Sequence, residues 1–130
     1  MILGVGVDLV SIERISKIYA KYPERFLRRI FTACEREAFR KRGSSMASLA
    51  ARYAAKEAVL KAIGCGIGPA ALCEVEVVTT PGKQPLVNLS GDAARQAKER
   101  KITAVALSIT HEPPIACAVA AVYAMPVVLK

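Results

Sequence analysis

The chain has 130 residues, 53% of them hydrophobic, and a net charge of +8. That apolar share excludes a disordered chain, and the length suits a single domain spanning residues 1–130. The positive surplus favours an anionic partner but does not choose among nucleic acid, a phosphorylated metabolite, an acidic protein and a membrane face.

"ILGVGVDLV", from Ile2, has the β-branched content and length of a strand. Ser11 is an N-cap candidate, and helical spacing then runs to Pro23. "PERFLRRIF" is a short helical piece. "TACEREAFRKR" opens on a capping box, Thr32 with Glu35 three residues later, and ends near Gly43. Ser44 or Ser45 caps a long alanine-rich helix, "ARYAAKEAVLKAIG", which Gly64 ends. "CEVEVVTT" and "PLVNL" are the strands of a hairpin around the turn "PGKQ". Ser90 caps the amphipathic "GDAARQAKER". "ITAVALSIT" and "IACAVAAVYA" are two further strands joined around "HEPP". Without regular βαβ alternation, this order predicts an α+β fold with a mainly antiparallel sheet on the long helix.

Several classes drop out. No two of Cys34, Cys65, Cys73 and Cys117 have C-x-x-C spacing, which argues against a zinc site and for reduced thiols in a cytoplasmic protein. "MILGVGVDLV" lacks a basic n-region and is interrupted by Asp8, so it is a poor signal peptide. "IACAVAAVYAMPVVL" falls short of the ~20 residues of a membrane span and contains Pro126, so a soluble chain is expected. A P-loop is absent, and "GCGIG" does not follow a strand as a dinucleotide fingerprint must.

The long helix poses the sharpest question. It is apolar nearly all round, yet it carries Arg52, Lys56, Glu57 and Lys61. Charges on a buried helix are costly unless paired. Glu57 and Lys61 are four apart and share a face, and Arg52 and Lys56 form a second such pair. One carboxylate among three cations on a partly buried strip suggests a metal and phosphates. Asp8 stands where the first strand gives way to a helix. His111 ends a strand on which Ser108 and Thr110 share one face, and it is the one side chain that titrates near neutrality unaided. Arg14, Lys17 and Lys21 form a basic stripe that Arg25, Arg28 and Arg29 continue.

A basic nucleic-acid-binding module competes with this reading. The aromatics, four Tyr and three Phe, mostly fall at core positions of helices, so no stacking platform is evident. Nor does that reading explain Asp8 and Glu57, since carboxylates repel phosphate unless a metal intervenes. Neither nucleic acid nor a membrane is expected as a partner.

"GVGVDLVSIERI", "FTACERE", "ARYAAKEAVLKAIG", "GKQPLVNLSG" and "LSITHEPPIACAVA" resemble, in order and spacing, the holo-acyl-carrier-protein synthases, small bacterial phosphopantetheinyl transferases. The resemblance runs from Ile2 to Tyr123. It departs at Cys65 and Thr110, where relatives often carry threonine and serine. It implies transfer of 4′-phosphopantetheine from coenzyme A to a serine of apo-acyl carrier protein in fatty-acid synthesis, with release of adenosine 3′,5′-bisphosphate. It also implies a Mg²⁺ ion on Asp8 and Glu57, Lys61 on the coenzyme A phosphates with His111 near them, and a homotrimer with sites at subunit interfaces.

Breaking a pyrophosphate calls for positioning and charge stabilisation, and Mg²⁺ suits two carboxylates plus phosphate and water. Lacking a backbone cradle, the chain must use side-chain cations, and Arg52, Lys41 and Arg42 are the candidates, the last two for the 3′-phosphate. The resemblance further implies coenzyme A contacts at Gly64, Pro85, Ser108 and Thr110, with Pro85 near adenine. Three acceptors for the serine proton stay open: Glu57, His111 and a metal-bound water. A carboxylate on Mg²⁺ is a poor base, which favours the water, with His111 assisting. The resemblance makes the basic stripe the expected dock for the acidic carrier protein, led by Arg14 with Lys21, Arg25 and Arg28.

Overall fold

Capping and turn chemistry divide the chain much as its residues suggest. A computed structural model describes residues 1–65 and 71–125. Of "GCGIG", Gly66 to Gly68 therefore lie outside the described residues, as does Pro126 of the last apolar run. In order come β1 (Ile2–Ser11), α1 (Ile12–Lys21), α2 (Pro23–Ile30), α3 (Ala33–Lys41) and α4 (Met46–Ile63). A single 3₁₀ turn, Leu72–Glu74, leads into β2 (Val75–Val78) and β3 (Leu86–Leu89). Then follow α5 (Gly91–Glu99), β4 (Ala104–Glu112) and β5 (Ile115–Tyr123).

The caps are specific. Ser11 Oγ accepts from Arg14 N at 3.2 Å, and Ser45 rather than Ser44 caps α4, accepting from Ser48 N at 3.2 Å. The Thr32–Glu35 capping box is closed in both directions, at 3.3 and 2.8 Å. Gly64 ends α4 at φ +91°, a conformation that glycine adopts without penalty. Ser90 does not cap α5 with its side chain; Glu74 Oε2 accepts from Asp92 N at 2.8 Å instead. The same carboxylate takes Ala71 N at 2.8 Å, folding Leu72–Glu74 into a turn, so β2 starts two residues later than "CEVEVVTT" suggests. At the other end of the chain, β4 continues through His111 and Glu112, because Ala116 and Ile115 stand opposite them in register.

The fold is α+β with two antiparallel sheets, a three-stranded one in the order β1-β5-β4 and the β2-β3 hairpin. α4 lies across the inner face of the larger sheet. Its Ala51, Ala54, Ala55, Ala58 and Ala62 are buried, and so are Ala116, Ala118 and Ala120 of β5. Small residues on both sides let helix and sheet close to backbone distance. At β1 the approach needs no side chain at all: a Cβ on Gly6 would stand 2.6 Å from Ala62 N and 3.0 Å from Lys61 Cβ. α1 and the hairpin cover the helix's other side, which is why α4 is apolar all round.

Alternation along β1 sets up the site. Gly4, Gly6, Asp8 and Val10 face α4, while Leu3, Val5, Val7 and Leu9 point outward and are 41–65% exposed. Register places Cys117 and Thr110 beside Leu9, and Val119 and Ser108 beside Val7, on that same outer face.

Candidate active site

The glycines of β1 carry Asp8 to the flank of α4. Lys61 Nζ donates to Asp8 Oδ1 at 3.0 Å and to Val7 O at 3.1 Å. The Asp8 side chain is only 16% exposed, whereas Lys61 reaches solvent at 53%. Glu57 lies one turn before Lys61 and Tyr53 one turn before Glu57, so the three form a single row along the helix. Burial, then the charge of Glu57, raise the Tyr53 phenol above its ordinary pKa. A hydrogen bond to Glu57 and the charge of Asp8 act in the same direction, and Arg14 opposes them. Tyr53 thus feels the charges of Glu57, Asp8 and Arg14. The sequence reading passed over Tyr53 as a core aromatic, although its spacing from Glu57 was visible.

This donor set fits a hard divalent cation. Asp8 from β1 contacts Lys61, and Glu57 stands one turn before Lys61 on α4, so two carboxylates from separate elements flank one lysine; Mg²⁺ characteristically takes one or two carboxylates and fills its shell with water and phosphate. Among the described residues no cluster of three metal-ligating side chains occurs, so the donors here are two.

At the opposite margin of the sheet a cleft of about 560 Å³ opens between the start of α4, the hairpin loop and the edge strand β4. Arg42, Arg52, Thr79, Lys83, Pro85, Ser108 and His111 are among its lining residues. Arg52 is 3% exposed, and its Nη2 donates to Thr79 Oγ1 at 2.6 Å. Its Nε has no hydrogen-bond partner although it is buried. Burial, and then the neighbouring Arg42, depress the Arg52 pKa, with Glu35 pulling the other way. Arg42 Nη2 donates to Thr79 O at 3.3 Å. A buried guanidinium with a free donor beside a second cation suits an anion. Thr79 was not foreseen, for it comes from the loop after β2 and no local pattern marks it.

The other expected coenzyme A residues lie elsewhere. Lys41 is exposed at the end of α3, and Gly64 is exposed beside Arg100. Thr110 lines a second hollow with Glu112, Pro113 and Cys117 at the β4–β5 turn, which His111 also borders.

Lys56 corrects the reading of α4. It was grouped with Arg52 as part of a strip neutralised by metal and phosphate, but its neutralising partner is protein. Lys56 Nζ and Glu35 Oε1 are 2.5 Å apart, and both side chains are fully buried. Lys56 also donates to Val75 O at 2.6 Å and Leu72 O at 3.2 Å. Burial lowers its pKa, and the Glu35 carboxylate pulls it back up. Each of the four charges therefore faces something different: Thr79, Glu35, Tyr53 and Asp8.

The basic stripe lies along α1 and α2. Lys17 pairs with Glu13 at 3.1 Å and Arg28 with Glu24 at 3.9 Å, exposed contacts of little energetic weight. Lys21 and Arg25 flank the half-exposed ring of Tyr22, at 5.6 and 6.0 Å from its centre.

A family model described as the 4′-phosphopantetheinyl transferase superfamily matches residues 4–119. The chain belongs to that superfamily. It is 48% identical over 112 residues to the holo-[acyl-carrier-protein] synthase of Desulforudis audaxviator, with 86% of each chain covered. Its fold is similar to that of the Helicobacter pylori holo-[acyl-carrier-protein] synthase solved in complex with coenzyme A, at a TM-score of 0.80 and 30% identity, covering 92% of this chain and 99% of the other. The Bacillus anthracis synthase, solved in complex with CoA (3′,5′-ADP), matches at a TM-score of 0.76 and 31% identity, covering 96% and 99%. As a phosphopantetheinyl transferase of the holo-[acyl-carrier-protein] synthase kind, the chain is an enzyme. Among the described residues no helix is long and apolar enough to cross a membrane.

Proposed function

We propose that this phosphopantetheinyl transferase moves 4′-phosphopantetheine from coenzyme A to a serine of apo-acyl carrier protein. The other product is adenosine 3′,5′-bisphosphate, and the role is in fatty-acid synthesis. The observation that carries this reading is the contact of Asp8 with Lys61, one turn beyond Glu57. Two carboxylates flanking one lysine suit a pyrophosphate next to a hard cation. The relatives solved with coenzyme A support the choice of donor.

Asp8 and Glu57 would hold Mg²⁺, which when bound supplies charge stabilisation to the phosphate oxygens. The chain's own groups do the rest. The serine hydroxyl attacks the β-phosphorus and the α-phosphate leaves. Lys61 uses two of its three donors on Asp8 and Val7 O, so a third remains for a phosphate oxygen. Arg52 offers its free Nε, with Arg42 beside it, to the 3′-phosphate, and Pro85 flanks the adenine. His111, on the cleft rim, orients phosphate. Burial of Arg52 strengthens its pull on an anion.

Asp8 on β1 and His111 on β4 belong to opposite edges of the sheet. β5 lies between those strands, and at ~4.8 Å per strand they are about 10 Å apart. α4 fills the inner face of the sheet between them, and the outer face is bare and apolar. A homotrimer burying that face, with each site formed by the β1 edge of one copy and the cleft of the next, accounts for both features. Arg14, Lys21, Arg25 and Arg28 then dock the acidic carrier protein, and Arg14 lies closest to the chemistry, beside Tyr53. The cytoplasm suits the four free thiols. Incubation with apo-carrier protein, Mg²⁺ and coenzyme A should add one phosphopantetheine arm by mass spectrometry; an unmodified carrier would refute the assignment.

A further inference from the structure

A buried ion pair is a poor way to gain stability, because desolvation offsets most of the attraction. Glu35 and Lys56 therefore need another reason to be there. β2 supplies it. One edge of β2 pairs with β3, in the register Val75↔Leu89 to Val78↔Leu86. Among the described residues no strand lies beside its other edge, yet Val75 and Val77 are buried, and buried peptide groups must find partners. Side chains act as the missing strand. Lys56 Nζ donates to Val75 O at 2.6 Å, Glu35 Oε2 accepts from Val77 N at 2.8 Å, and Arg42 Nη2 donates to Thr79 O at 3.3 Å. The three contacts fall on alternate residues, as a paired strand's would.

The suppliers are equally regular. Glu35 and Arg42 are seven apart at either end of α3, and Arg52 and Lys56 are four apart on α4. The first contacts on this edge are the buried pair, and the last residue, Thr79, holds both cleft arginines. Glu35 is itself locked by Thr32 N at 2.8 Å, and Lys56 by Leu72 O at 3.2 Å.

We propose that Glu35 and Lys56 are positioning residues for the nucleotide end of the substrate. They clamp the hairpin edge in one register, so that Thr79 presents the guanidinium groups of Arg42 and Arg52 to a phosphate. This rests on the reading of the cleft as the coenzyme A site.

The test compares a double variant, Glu35→Gln with Lys56→Met, against Arg52→Ala, using adenosine 3′,5′-bisphosphate as the calorimetric probe. Coenzyme A and carrier-protein KM values are measured alongside, on protein shown to be folded by circular dichroism. The double variant should bind the probe weaker by about tenfold or more, the scale of one lost charge-assisted hydrogen bond, and raise the coenzyme A KM while leaving that for the carrier protein near wild type. A purely structural pair would cut the yield of folded protein and leave its nucleotide affinity intact; that outcome overturns the proposal. If the double variant does not fold, Thr79→Val decides, since it removes the Arg52 hook at the half-buried end of the same edge; unchanged binding there overturns the proposal. If Arg52→Ala also binds the probe normally, the cleft reading falls and the proposal with it. Weakening by Arg52→Ala alone sinks only the clamp.

Discussion

Gly6→Ala is a one-carbon test of how Asp8 is seated. The added Cβ would stand inside the van der Waals shell of Ala58 O, 2.6 Å from Ala62 N and 3.0 Å from Lys61 Cβ. Ordinary contact is about 3.5 Å, so β1 must retreat from α4 by about 1 Å. The atoms in the way are helix backbone, which cannot swing aside as a side chain can. Overpacking of this kind costs about 1–3 kcal/mol, and the melting temperature should fall by several degrees. The larger effect is on chemistry. Asp8 lies two residues on, on the same face of the strand, and moves with it away from Lys61 and Glu57. A displacement of about 1 Å at a reacting centre can cost on the order of 10²-fold in rate. Transfer of phosphopantetheine would be followed by mass spectrometry on protein held well below its melting temperature. Gly4→Ala is the control: its Cβ meets Ala62 O and, at 3.2 Å, Val122 Cγ2, but lies four residues from Asp8. It should destabilise comparably and slow transfer less. If Gly6→Ala turned over at the wild-type rate, the close strand–helix contact would not be what places Asp8, and the site as built here would be wrong.

Asp8→Ala and Glu57→Ala should each abolish Mg²⁺-dependent transfer while keeping the fold, as should chelation of the metal from the native enzyme; full activity in any of these would remove the metal from the reaction. Arg14→Glu should raise the KM for carrier protein and leave that for coenzyme A nearly unchanged, and equal effects on both would refute the docking role. Asp8→Ala, inactive alone, and Arg52→Ala, impaired in coenzyme A binding, should together exceed either alone when mixed subunits reassemble, because one good β1 edge then meets one good cleft; no gain from a mixture shown to exchange subunits would place both halves of the site in one copy.

Local chemistry made most of the fold legible. The Thr32–Glu35 box, the Gly64 stop and the "PGKQ" turn each act over a few residues, so a string of letters contains the whole interaction. Errors fell where a partner outside the element intervened. Glu74 reaches Asp92 and displaces Ser90 as the cap of α5, and β4 outruns its expected end because β5 offers partners to His111 and Glu112. The first contact spans 18 residues, and the second, though short in sequence, depends on where the β4–β5 turn closes, which no single residue there announces.

The charges of α4 show the same boundary from the other side. Helical spacing correctly puts Arg52 in line with Lys56 and Glu57 in line with Lys61, because neighbours along a helix face follow from geometry alone. It says nothing of what stands opposite, and the opposite wall is built from other elements. Within one row, Arg52 opens into a cleft while Lys56 is sealed against Glu35. Glu57 looks to Tyr53 on its own helix, and Lys61 prefers Asp8 to Glu57. A buried cation in a sequence is thus ambiguous between binding a ligand and closing a backbone edge. The two uses separate by satisfaction: Lys56 has three protein acceptors within 3.2 Å, and Arg52 keeps a buried donor with none. By that criterion the cation with a donor to spare is the one available to a ligand, and the saturated one belongs to the scaffold.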